Sequence, residues 1–111
     1  MAQNFRRYTL SAVGTAAADI PDGTNFDSYD TLVGIHCTNI VSNAVNVSVY
    51  INDGTNNIYL VKDAPIAAGG ALQIMDGGAK IVVQSGDRLY VQSDTASSVD
   101  VWVSAVDAIS T

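Results

Sequence analysis

The chain of 111 residues carries eleven Asp and no Glu against two Lys and three Arg, which gives a net charge of −6. Such an acidic surface repels phosphate backbones and anionic headgroups, so the charge argues against nucleic-acid and membrane-surface partners. A helical protein is excluded too, because exposed helix faces draw on Glu, Lys, Gln and Arg. In their place stand 14 Val, 9 Ile, 8 Thr and 9 Gly, which favour strands and turns.

The length predicts one domain over residues 1–111. A chain of 11.6 kDa buries about 65% of the surface of its unfolded form, which is enough for one core without disulfides. Cys37 has no internal partner and fits a chain made in a reducing compartment. No run approaches the ~18 apolar residues of a transmembrane helix, so we expect no membrane span.

Alternation of apolar and polar residues predicts the strands, and it is clearest where four apolar residues from Val45 to Ile51 occupy every second position. In chain order the eight predicted strands cover residues 5–13, 29–39, 45–51, 58–62, 71–75, 80–83, 88–93 and 99–106. Short strands at a spacing of about ten residues must pack face to face to bury their apolar sides. The pattern therefore predicts an antiparallel β-sandwich resembling a jelly roll.

The breaks between the strands have the chemistry of tight turns. Asp22-Gly23, Asp53-Gly54 and Asp76-Gly77 suit turns that need a positive φ. Residues 14–28 make up the one long irregular connection, and we expect it to cross from one sheet to the other.

The residues that catalysis needs are few. His36 is the only histidine and adjoins Cys37 on a predicted strand, so their side chains face opposite sides and form no nucleophile–base pair. Acid–base chemistry would then fall to aspartates, nearly all of which lie singly in turns, at strand ends or on outward strand positions. Paired carboxylates of the glycosidase kind stay open as an alternative. We predict that the chain is not an enzyme and has no catalytic residue.

Residues 52–57 carry the oxygen ligands that calcium prefers. They lack the alternating acidic spacing and the distal glutamate of an EF-hand loop, so the pattern favours a plain hairpin turn. Calcium binding at the Asp53 turn stays an open question. We predict no metal site and no cofactor.

Several predicted outward positions hold large apolar or aromatic residues where a solitary sandwich would be polar. These candidate interface residues are Tyr50, Tyr59, Val61, Tyr90, Trp102 and Val106. Exposed apolar surface marks association, and a charged fraction of 14% with a mean hydropathy of +0.20 points the same way. We predict a homo-oligomer closed into a ring by heterologous contacts, with a trimer favoured. The alternative is a carbohydrate-binding module that stacks sugars on Trp102 and the tyrosines.

The first residues of the chain add a second candidate interface. Phe5, Arg6 and Arg7 give residues 1–8 the only local excess of positive charge before Lys62. We hypothesise that this segment is an arm that docks on an acidic shell or on a neighbouring subunit.

Six runs of the sequence together resemble a family of small virion structural proteins from tailed bacteriophages. The runs are residues 47–55, 59–66, 69–72, 80–83, 86–91 and 96–101, and the similarity spans about residues 29–106. The resemblance implies a component of the virion without catalytic residues, made in the host cytoplasm. It favours a head decoration (cement) protein that contacts the major capsid protein or other virion proteins, with a tail, baseplate or fibre component as the alternative.

Overall fold

Nine β-strands make up the secondary structure of this chain in a computed structural model that describes residues 4–20, 30–75, 81–83 and 86–107. The strands are β1 (Asn4–Val13), β2 (Ala18–Ile20), β3 (Asp30–Asn39), β4 (Val45–Asn52), β5 (Asn57–Ile66), β6 (Ala71–Met75), β7 (Ile81–Val83), β8 (Arg88–Ser93) and β9 (Val99–Asp107). The predicted all-β class is confirmed. Among these residues no helix is long and apolar enough to span a bilayer.

The strands form two antiparallel sheets. Sheet A has the order β1-β9-β3-β6, with β7 also pairing with β3, and sheet B has the order β2-β8-β4-β5. The first half of the chain pairs with the second half: β4 with β5, β3 with β6 and β7, β2 with β8, and β1 with β9. The chain is therefore one long hairpin, rolled up so that β9 also reaches β3 and β8 also reaches β4. This arrangement is a jelly roll, as the spacing of the strands predicted.

The two sheets bury their inner faces against each other. Alternate residues of β4, namely Val45, Val47 and Val49, are no more than 1% exposed, and β9 repeats this pattern from Val99 to Ala105. Because β-branched side chains pack well on a pleated surface, a core built largely of valine and isoleucine stabilises strands and sandwich together. Tyr8 packs against this core from β1, whereas the aromatic residues of the described strands β4, β5, β8 and β9 lie on the outer faces.

The strand that the sequence did not predict lies inside the long connection. Residues 14–17 leave sheet A, and the three residues Ala18–Ile20 pair with β8 in sheet B. Asp19 accepts a hydrogen bond from Nη1 of Arg88 on β8 at 3.3 Å, and Ile20 is buried in the core. A run of three residues is too short for alternation to show. The rest of this connection, residues 21–29, lies outside the described residues, as do the predicted turns at residues 22–23 and 76–77.

A β-bulge bends β1 where it pairs with β9. The register shifts between Leu10 and Val13, and Ala12 adopts a positive φ of 54°. The backbone N–H of Ala12 donates to Oδ1 of Asp100 at 2.8 Å, so the carboxylate satisfies a donor that the bulge removes from the ladder.

Asn39, at the end of β3, joins three backbone segments through one buried side chain. Its Nδ2 lies 2.8 Å from the carbonyl of Asn43, 3.1 Å from that of Ile66 and 3.2 Å from that of Ala67, and its Oδ1 accepts the N–H of Val41 at 2.9 Å. The side chain thus fixes the loop after β3 against the end of β5. Since Asn39 is 1% exposed, water cannot replace these bonds.

Replacing Asn39 tests this link. We expect Asn39→Ala to lower the free energy of unfolding by about 2 to 3 kcal/mol, because the buried carbonyl of Ile66 and two partly buried carbonyls lose their donor. Asn39→Asp should cost more, since a carboxylate would face the same carbonyls. The matched control is Asn43→Ala in the same loop, where no side-chain bond is lost, and urea unfolding measures all three variants. Equal effects of Asn39→Ala and Asn43→Ala would contradict the role of this side chain.

Candidate functional site

The candidate interface residues lie on two opposite faces of the molecule. Trp102 alternates with the buried Val101 and Val103 in β9 and so lies on the outer face of sheet A. Tyr50 alternates with Val49 and Ile51 in β4 and so lies on the outer face of sheet B. The sequence analysis took these residues as one set, but they form two separate surfaces on opposite sides of the core.

Three tyrosines on adjacent strands form a ladder across sheet B, in the order Tyr59, Tyr50 and Tyr90. Tyr50 is paired directly with both neighbours in the sheet register. Its ring centroid lies 5.0 Å from that of Tyr59, tilted by 44°, and 5.2 Å from that of Tyr90, with the rings stacked at 17°. Such cross-strand aromatic pairs stabilise a sheet. Burial, together with the neighbouring phenols of Tyr59 and Tyr90, raises the pKa of Tyr50.

The ladder ends in an exposed apolar edge. Tyr50 is only 9% exposed, whereas Tyr59 is 44% exposed on β5, an edge strand of sheet B. The next residue, Ile58, is 52% exposed but pairs with the inward-facing Ile51, so it lies on the other side of β5. Nζ of Lys62 lies 5.2 Å from the centroid of the Tyr59 ring, which is within the range of a cation–π contact. Beside the ladder, polar residues such as Ser48 line a shallow pocket of about 190 Å³. The apolar part of this face is thus concentrated at its β5 edge.

The side chain of Val61 does not face outward as the sequence predicted. It packs against the core instead, because the register between β4 and β5 shifts on both sides of Val49. At the second shift Asp63 takes a positive φ of 53°, and its N–H donates to Oγ of Ser48 at 3.0 Å. Strict alternation cannot foresee such bulges, since each extra residue reverses the faces that follow it.

On sheet A, one row of side chains crosses four strands: Thr9, Trp102, His36 and Gln73 lie side by side in the register. Trp102 is 50% exposed. The guanidinium carbon of Arg7 lies 5.3 Å from the centroid of its ring, in a cation–π contact. His36 is exposed, and its Nδ1 lies 2.6 Å from Oε1 of Gln73, so its N–H donates to that amide oxygen.

This row borders a groove of about 600 Å³ on the outer face of sheet A, which we call the Trp102 groove. Besides the row, Gly34, Thr38, Asp100 and Ser104 line it. Gly34 lies beside Ser104 in the sheet and has no side chain to fill the space. Sequence reasoning found Trp102 but missed His36, Gln73 and Asp100 as its neighbours; the one signal was Gly34, since a glycine within a strand marks a bulge or an open position.

The N-terminal candidates belong to an edge strand. Residues 4–8 are part of β1 and pair with β9, so over its described part the expected arm is a strand of sheet A. Arg6 and Arg7 are exposed there. Phe5 pairs in the backbone register with Val106, which is half-buried.

His36 and Cys37 face opposite sides of β3, as their adjacency predicted. His36 is exposed, whereas Cys37 is fully buried in the core. Burial raises the pKa of the Cys37 thiol to about 12. At neutral pH the thiol is therefore protonated and shielded from solvent, which is the opposite of a reactive cysteine.

The side-chain oxygen atoms of the Asp53 turn accept hydrogen bonds from the backbone of the same turn. Oδ1 of Asp53 accepts the backbone N–H groups of Asn56 at 2.7 Å and Thr55 at 3.0 Å, and these bonds hold the pKa of this exposed carboxyl below its usual value. Gly54 has a φ of 96°, and its N–H donates to Oδ1 of Asn52. The loop has the hydrogen bonding of a hairpin turn. Within the described ranges, no group of three or more His, Cys, Asp or Glu side chains lies close enough to hold a metal ion.

Over the described residues, the chain is a jelly roll with an aromatic ladder and a groove on opposite faces. No protein-family model and no curated protein matches the sequence. Among solved structures, the chain is similar to VP2 of infectious bursal disease virus, in the crystal structure of its subviral particle, with a TM-score of 0.50 and 13% sequence identity. The match covers 92% of this chain and 32% of the VP2 chain, so our chain spans about a third of that protein. At this identity the likeness concerns the fold alone.

The pH dependence of stability tests the Asp53 turn. Because the pKa of the folded carboxyl is lowered, its contribution is fully present above the usual pKa of aspartate and is lost as the pH falls through the folded value. We expect Asp53→Asn to lower the melting temperature by a few degrees at pH 7, and this difference to shrink as the pH falls below the usual pKa of aspartate. Asp63→Asn is the control for removing one charge. A constant difference between wild type and Asp53→Asn from pH 7 to pH 2 would contradict this account.

Proposed function

We propose that this chain is a non-enzymatic structural protein of a virus particle. The observation that carries the proposal is the jelly roll, which spans the described residues and superposes 92% of the chain on a viral protein, VP2, in a subviral particle. Jelly rolls recur in capsid proteins because a closed sandwich presents two broad faces and few free edges. Since a fold alone does not define a function, the proposal also rests on the outer surfaces of the two sheets.

The specific role we propose is that of a capsid decoration (cement) protein of a tailed bacteriophage. The resemblance over residues 29–106 supports it. A decoration protein strengthens a particle by adding buried contact area across the joints of the shell, so it needs a rigid scaffold and apolar contact surface. Its partners would be the major capsid protein or other virion proteins. A tail, baseplate or fibre component would use the same scaffold and is the alternative.

The tyrosine ladder is the surface we assign to contacts between copies. Its rings already pack on one another, so they lose little side-chain freedom when a neighbour covers them. Tyr59 extends this aromatic surface to the edge strand β5, where a second copy can reach it. A ladder that meets a different surface of the next copy forms a heterologous contact, which generates a ring when the rotation between copies closes. We favour a trimer.

The exposed pair Arg6 and Arg7 is the surface we assign to an acidic shell partner. Both lie on β1, the edge strand of sheet A, and the surface charge of the chain is otherwise acidic. Positive charge at an edge attracts an acidic partner and also discourages unwanted pairing of the free edge.

The location of the protein tests the proposed function directly. Particles purified from the producing host on a density gradient should contain the chain at a fixed stoichiometry to the major capsid protein, measured by quantitative mass spectrometry. Electron cryomicroscopy of the same particles would separate a head location from a tail location. Recovery of the chain only in the soluble fraction, with none in the particles, would refute a virion role.

The oligomeric state tests the ladder. Analytical ultracentrifugation at about 10 to 100 μM should show a trimer for the wild type and a monomer for Tyr59→Asp, because a charge takes the place of the exposed ring of the ladder. Val82→Asp is the matched control, since Val82 is 69% exposed on a strand of sheet A, away from the ladder. A monomeric wild type, or equal dissociation of both variants, would contradict the assignment.

A further inference from the structure

The Trp102 groove has a volume and a position suited to a small ligand. Its volume of about 600 Å³ falls within the range of about 300 to 1,000 Å³ that is usual for ligand sites. Its lining comes from β1, β9, β3 and β6, which are hydrogen-bonded neighbours in one sheet. A site built on paired strands holds its side chains in fixed positions.

The indole of Trp102 is a flat apolar wall of this groove. Arg7 packs over the ring at 5.3 Å but does not line the groove; it borders a separate depression that also contains Val33. The cation–π contact thus steadies the ring while its other surface stays available to the groove. Pyranose rings carry a face of C–H groups that stacks on such an aromatic wall.

The polar groups opposite Trp102 are orientated by bonds of their own. Because Nδ1 of His36 donates to Oε1 of Gln73, Nε2 of the imidazole and the amide nitrogen of Gln73 remain for a ligand, without a partner among the described residues. Asp100 uses Oδ1 to accept the N–H of Ala12, which leaves its second oxygen. Sugar hydroxyls donate and accept at once, so they match this mixture of an amide, an imidazole and a carboxylate.

The chemistry of the groove selects among possible ligands. Asp100 in the lining and a net charge of −6 disfavour phosphorylated or carboxylated molecules, and the cation of Arg7 lies outside the lining, packed on the indole. A peptide bound as an added strand needs a free sheet edge, whereas the groove lies on the face of sheet A, where the backbone groups already pair between strands. A neutral ligand with an apolar face and several hydroxyls satisfies all of these conditions.

We propose that the Trp102 groove binds a neutral saccharide, with Trp102 as the stacking wall and His36, Gln73 and Asp100 as hydrogen-bonding groups. The site belongs to a single copy of the chain and lies on the face opposite the tyrosine ladder. Although Arg7, which packs on Trp102, also belongs to the surface assigned to the shell partner, saccharide binding needs no second protein, so each proposal can fail without the other.

Binding is measured on the full chain in solution. The probes are the methyl glycosides of glucose, galactose, mannose and N-acetylglucosamine, with lactose as a disaccharide and sialyllactose as its acidic counterpart. Saturation-transfer NMR detects binding, and tryptophan fluorescence reports on the groove alone because Trp102 is the only Trp. We expect at least one neutral sugar to bind with a Kd of about 1 mM, as befits a ligand of this size. Sialyllactose should bind more weakly than lactose.

Variants separate the groove from other surfaces. Trp102→Ala should abolish saturation transfer, and Trp102→Phe should restore part of it. Gln73→Ala should weaken binding about tenfold, as loss of one or two hydrogen bonds does. Tyr59→Ala, on the opposite face, is the control and should bind like the wild type. Circular dichroism and melting temperatures check that every variant is folded.

Three results would overturn the proposal. The first is the absence of saturation transfer from every neutral probe at about 20 mM, well above the expected Kd. The second is an equal loss of binding in Tyr59→Ala, which would make the effect non-specific. The third is a Trp102→Ala variant that keeps sugar binding but loses self-association, which would assign the groove to a contact between copies.

Discussion

Burial of the two inner sheet faces against each other is the constraint on which the rest of this molecule depends. Valines at every second position of β4 and β9 are almost wholly shielded from water. A slip of one residue in either strand would move this whole set of side chains to the solvent face, so the core fixes the register. Once the register is fixed, every outward position is fixed as well, and both candidate surfaces follow from it.

The places where the register shifts are the places where the surfaces acquire their particular shape. The bulge in β1 brings the backbone of Ala12 to Asp100, at one end of the Trp102 groove. The shift between Leu32 and Gly34 in β3 places a residue without a side chain within the lining of the same groove. The bulges in β5 turn Val61 inward and leave Tyr59 opposite Tyr50. Bulges thus adapt a regular sandwich to the two surfaces.

The sequence predicted where most strands lie but not which strands are neighbours in a sheet. Alternation predicted eight of the nine strands, since each long strand has one buried face, and it missed β2 because three residues show no period. It placed Trp102 and Tyr50 outward, as the structure does. Alternation distinguishes inside from outside but does not say to which sheet a strand belongs, and for this reason residues on opposite faces were taken as one set.

The groove was harder still to predict, for a related reason. His36 and Gln73 are 37 positions apart, and they meet only because β3 and β6 pair in sheet A. Nothing local in either strand marks them as partners: one is a histidine on an exposed face and the other a glutamine in a short strand. Long-range pairing creates such sites, and a single sequence contains no direct record of it.

The division into two faces also explains how one small sandwich can carry two surfaces. The ladder is flat, because the ring of Tyr50 is covered by the rings of Tyr59 and Tyr90. The groove is open, since Gly34 leaves space beside Trp102. Packed sheets lie about 10 Å apart, and the core between them is close-packed and rigid. A flat face suits contact with another protein and a concave face suits a small ligand. Because no residue belongs to both surfaces, covering the ladder in an assembly leaves the groove accessible.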